Sequence, residues 1–230
     1  MHLFLSRSLR FGVSLALIGS SFPTSGAGAM AGETKTTPAL TAFAGAWSGI
    51  TNYTATIVTH ETTNDGKSSQ DRTYSYKFLK PTNAVIEIVD GPGKGGGAAW
   101  HGGDRVKGHQ GGMLSGIKLM VPITDGRATS LRGDTLDVAS FGYELNHFQS
   151  IPGALSEAAG PQVGSDSTIQ VTLAPSSAEA NGVTKETLDI SNASHLPVRR
   201  TSYVGGTIVK VETFSNVKIN PGLTIGDIDL

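Results

Sequence analysis

Side-chain period constrains this chain more than any other feature. In residues 207–219 the side chains alternate: Val209, Val211, Val217 and Ile219 fall on one side, and Lys210, Glu212, Asn216 and Lys218 on the other. A period of two is a strand signal. It recurs at 53–60, 72–79 and 168–173, and further strands are read at 84–89, 183–190 and 198–204. At 72–79, Tyr74, Tyr76 and Phe78 oppose Thr73, Ser75 and Lys77. Asn64-Asp65-Gly66, Pro81-Thr82-Asn83 and Gly205-Gly206 join successive runs. Turns that short hold no crossover, so the paired strands are antiparallel. Shorter strand pieces are expected at 98–101 and 105–107. Residues 111–125 carry Met113, Leu114, Ile117, Leu119, Met120 and Val121, and fit helix or strand. A loop is expected at 158–165.

Two segments have helical period. Thr37-Pro38 reads as cap and first residue, with Leu40, Phe43, Ala44 and Trp47 on one face and a stop near Gly49. That face needs a partner, so Trp47 is expected to be buried under the sheet. Residues 136–150 place Phe141, Leu145 and Phe148 at i, i+4 and i+7, ending at Pro152-Gly153. The expectation is an α+β, mainly antiparallel fold: one sheet, a helix before it and a helical insertion.

The first 31 residues read as a secretory signal. Arg7 and Arg10 precede the apolar run 11–19, and Ala27-Gly28-Ala29 and Ala29-Met30-Ala31 offer cleavage sites. Nine apolar residues fall short of the roughly 20 a spanning helix needs. Residues 32–230 are then one exported domain, periplasmic or secreted, and not an integral membrane protein. With Cys 0, disulfides and thiolate sites are excluded. Lys+Arg 18 against Asp+Glu 19 leaves no basic excess for nucleic acid.

Motifs for catalysis are wanting. Residues 91–96 match G-x-G-x-x-G, but residues 97–103 are strand-like and offer no helix N-terminus to a pyrophosphate. Gly95 follows Lys94 where a phosphate-binding loop needs Ser or Thr. His101, Asp104 and His109 lack a recognised metal-ligand spacing, and no G-x-S-x-G is present. The chain is read as a binding protein, neither enzyme nor cofactor carrier. Tyr74, Tyr76 and Phe78 with Phe141, Leu145 and Phe148 are either a core stripe or the floor and lid of an acyl-chain cavity.

Three stretches carry a family resemblance. Phe78-Leu79-Lys80-Pro81, a strand and then Asp90-Gly91 resemble part of the outer-membrane lipoprotein-sorting (LolA-like) family. Leu196-Pro197-Val198, Gly206 and Phe214-Ser215-Asn216-Val217-Lys218-Ile219-Asn220 are similar to its last hairpin. Residues 102–133 look like a poorly characterised bacterial branch. The resemblance implies an unclosed half β-barrel with helices covering its concave face. It implies an exported carrier that shelters the acyl chains of a lipid or lipoprotein and works with envelope transport proteins. Tyr74, Tyr76, Phe78, Phe141, Leu145 and Phe148 would line the acyl cavity, and Lys80 would meet the lid or head group. The family's carriers have arginine where Lys80 stands, and lysine lacks its planar fork. A non-carrier binding or sensory module of the envelope on the same fold is the other reading.

Overall fold

The computed structural model describes residues 35–179 and 181–230. The expected signal segment and its cleavage sites lie outside the described residues. Chain order is α1 (Pro38–Ser48), β1 (Asn52–Thr62), β2 (Ser69–Leu79), β3 (Asn83–Asp90), β4 (Gly97–Trp100), β5 (Arg105–His109), β6 (Leu119–Pro122), α2 (Phe141–Ser150), β7 (Gly153–Ala159), β8 (Thr168–Pro175), β9 (Lys185–Ser191), β10 (Pro197–Val204) and β11 (Thr207–Ile219). The strands form one 11-stranded sheet in the order β6-β5-β4-β3-β2-β1-β11-β10-β9-β8-β7. All its ladders are antiparallel. β6 and β7 do not pair with each other, so the barrel is unclosed and both helices lie over its concave face, as expected.

The helices begin where their caps allow. Thr37 Oγ1 accepts from the Leu40 N–H at 3.3 Å, and Ser140 Oγ accepts from the Tyr143 N–H at 3.1 Å. Both helices dock at the end of the trough where β1 starts and β2 ends. There Tyr53 is stacked on Phe141 at 4.5 Å and accepts from its backbone N–H at 3.1 Å. Phe43, Tyr76, Phe78 and Phe214 complete a filled aromatic core. Trp47 packs against Tyr53 and Phe78 but is half-buried, less enclosed than its stripe predicts.

Four local readings change or are settled. Residues 136–138 form a separate 3₁₀ turn, and α2 starts only at Phe141 because Ser140 caps it. Residues 111–125 resolve into a 3₁₀ turn and the edge strand β6. Part of the expected loop at 158–165 belongs to the edge strand β7, which has a mostly exposed face and pairs only with β8.

The fourth change concerns β11. Phe214 pairs with Ile57, Glu212 with Thr59 and Lys210 with Glu61, all on the concave side. One extra residue then intervenes opposite the step from Thr54 to Thr56, with Asn216 at φ 52. Such a bulge shifts the alternation by one residue. Val217 therefore rejoins the core beside Phe214, while Val211, paired with His60, lies on the convex side. The charged half of the alternation, Lys210 and Glu212, points inward.

Candidate functional site

Beyond the aromatic core the trough opens into a cavity of about 670 Å³. Its wall is the concave face of the first strands: Ile57 and Thr59 from β1, Tyr74 from β2, Ile86 and Ile88 from β3, and Ala98 from β4. Residues 126–139 cross over it and add Leu136, Val138 and Ala139. Polar contacts pin this cover to the sheet. Leu131 N donates to Glu61 Oε2 at 2.9 Å, and Arg132 donates to the Thr62 carbonyl at 2.6 Å and the Asn181 carbonyl at 3.1 Å. The glycine segment 91–97 forms part of the rim. It packs backbone against backbone with Gly111, where a Cβ would stand 2.0 Å from the Lys94 carbonyl. A second cavity of about 290 Å³ adjoins the rim, lined by Ile117, Leu119 and Val121.

The floor is charged. Lys210 Nζ lies 2.6 Å from Asp134, 3.0 Å from Glu212 and 3.6 Å from Glu61 Oε1. Arg200 holds Glu144 at 2.9 Å and Glu186 at 2.6 Å, and Ser202 donates to Glu186 at 2.9 Å. His147 Nε2 on α2 lies 2.5 Å from Glu186 and 3.6 Å from Glu179. These pairs stitch α2 to β9 and β10. Burial disfavours charge in every member, and partners decide the outcome. Burial pushes Glu144 up to about 7 against the pull of Arg200. It also raises Glu61, despite Lys210. Burial acts against Glu186 too, but Arg200 and His147 hold it down at about 2. Asp134 is kept below its ordinary value by Lys210, in spite of burial. Burial acts to lower His147, but the Glu179 and Glu186 carboxylates beside it outweigh this and raise it to about 9.

His147, Glu179 and Glu186 also place ligand-type atoms within 4.8 Å of one another. The 2.5 Å contact is, however, an ion pair rather than a ligand pair, and Arg200 already occupies Glu186.

Of the six residues the resemblance assigns to the acyl cavity, Tyr74 lines the open space. Tyr76, Phe78, Phe141, Leu145 and Phe148 sit together in the filled core next to it. Lys80 donates to the Trp47 carbonyl at 2.7 Å, and its ammonium lies 4.0 Å from the centre of the Trp47 ring. It thus closes the last turn of α1 onto the β2–β3 turn. His109 stands on the cavity rim, and His101 Nδ1 is 3.3 Å from Asn83 Oδ1. Glu61, Arg200, Lys210 and Glu212 escape sequence reading. Their one signal is charge inside strongly β-branched runs, which an exposed strand face would also produce.

No family model matches the chain, and no curated protein matches it either. Solved structures do. An uncharacterized conserved protein from Thermus thermophilus aligns over 83% of this chain and 90% of its own, at 11% identity and TM-score 0.52. The two share a fold. More distant are the lipoprotein LppX of Mycobacterium tuberculosis (17% identity, 83% and 100% covered, TM-score 0.44) and a LolA superfamily protein from Nitrosomonas europaea (10% identity, 85% and 99% covered, TM-score 0.40). Among the described residues no helix is long and apolar enough to cross a membrane.

Proposed function

We propose that this chain is an exported, non-enzymic carrier that shelters the acyl part of a lipid or lipid-modified protein in its trough. One observation carries the reading: the cavity of about 670 Å³ between the apolar wall of β1–β4 and the cover at 126–139. Its size falls in the range of roughly 300–1,000 Å³ usual for ligand pockets. Each acyl CH₂ taken out of water is worth about 0.8 kcal/mol, so this wall suits a hydrocarbon chain. The signal-like first 31 residues support export. In this reading the filled aromatic core built on Tyr76, Phe78, Phe141, Leu145 and Phe148 is the back wall of the acyl site. Tyr74 is its side wall, and Lys80 fixes the helix that closes the end.

Uptake of a fluorescent fatty-acyl probe by delipidated protein tests this. Ile88 is half-buried and lines the cavity, so Ile88→Asp is expected to abolish uptake while circular dichroism stays unchanged. A wild-type protein that takes up no probe, or a variant that binds as the wild type does, refutes the reading.

A further inference from the structure

Of the cations that line the cavity, all but Arg72 are paired with carboxylates. At the rim Arg72 donates to the Pro92 carbonyl at 2.8 Å, Lys94 pairs with Asp90 at 3.5 Å, and Arg127 holds Asp125 through two bonds of 2.9 and 2.8 Å. On the floor Arg200 and Lys210 are held by carboxylates. At Lys94, Arg127, Arg200 and Lys210 an anionic head group would have to compete with a carboxylate already in place. The acids are in the opposite position. Glu61 is 2% exposed, yet its Oε1 has no hydrogen-bond partner, and the 3.6 Å to Lys210 is too long for one. A buried acceptor left without a donor costs about 1–3 kcal/mol.

The charge count agrees. The charged floor holds six carboxylates, Glu61, Asp134, Glu144, Glu179, Glu186 and Glu212, against three cations, His147, Arg200 and Lys210. The excess is three, and two of the six, Glu61 and Glu144, have raised pKa values. A fixed cation bearing N–H donors would relieve that surplus. Ile57 precedes Glu61 on the same face of β1, and Tyr74 and Ile86 flank the same cavity, so that cation would have hydrocarbon beside it.

Resting on the carrier reading above, we infer that the ligand is a cationic amphiphile, with a protonated amine donating to Glu61 Oε1 and an alkyl chain on the wall of Ile57, Tyr74 and Ile86.

Displacement of the acyl probe by three twelve-carbon competitors at neutral pH, each kept monomeric, decides it. Dodecylamine supplies a cation with donors, dodecanol a neutral donor and dodecanoate an anion. Dodecylamine is expected to bind at least about tenfold more tightly than either, in line with a charge-assisted hydrogen bond. Glu61→Gln should abolish the preference, bringing dodecylamine to the level of dodecanol measured on the same variant. Equal affinity for amine and alcohol in the wild type, or tighter binding of dodecanoate, overturns the inference and leaves the carrier reading standing. So does an amine preference that survives in a folded Glu61→Gln. Should that variant not fold, the wild-type series alone decides. Failure of all three to displace a bound probe overturns the inference alone, and absence of probe uptake overturns both readings.

Discussion

His147 shows how one buried residue ties α2 to the sheet. It is 5% exposed and faces two carboxylates, so its imidazolium is favoured, with a pKa of about 9 against an ordinary 6.5. A raised folded-state value means stability that is fully present below pH 6.5 and lost as pH rises through 9. The shift corresponds to about 3 kcal/mol. Glu144, raised from 4.5 to about 7, acts in the same direction over a lower range. Urea melts at about pH 6 and about pH 9.5 are expected to differ by about 3 kcal/mol or more, the acidic sample being the more stable, and His147→Gln should flatten most of that slope. An equal midpoint for the wild type at both pH values would show that His147 is not charged in the fold. None of this was legible in the sequence. A histidine on a helix and a glutamate 39 positions later become partners only through the docking of α2.

At the scale of elements, what could be read and what could not divide along physical lines. The cap of α1 is a local signal, Thr37 before Pro38, and it stands where expected. The central strands are β-branched and half-buried, so their period of two survives into the structure. The edge strand β7 escaped because Ser156, Glu157 and Ala158 bury little and so carry no apolar alternation. The bulge at Asn216 escaped because the sequence alternates smoothly through it, and only the pairing with β1 reveals the extra residue. The contact between the two helices rests on a glycine. A Cβ on Gly142 would lie 2.7 Å from the Trp47 indole. Alanine is ordinarily the better helix former by up to about 1 kcal/mol. Here Gly142→Ala is nevertheless expected to cost about 1–3 kcal/mol through overpacking, with a shift in tryptophan emission. A neutral or stabilising result would mean that α1 yields easily.

The whole molecule has two faces with separate cores. Behind the trough, on the convex side, Ile228 is fully buried against Val85 and Ala99, with Leu79, Leu223 and Leu230 around them. Ile228→Ala is expected to lower stability by about 2 kcal/mol, the low end for such truncations, and to leave acyl-probe affinity within about twofold of wild type. A large loss of affinity in a folded variant would show that the two faces communicate. The free edges at β6 and β7 have a consequence of their own. A closed barrel fixes its bore through strand number and stagger. This sheet has no closing ladder, so its bore is set by how strongly it curls. No ladder bond fixes the gap between its margins, so a small bend at each strand would change that gap without breaking the ladder. Its capacity is thus adjustable in the way of a cupped hand rather than a pipe.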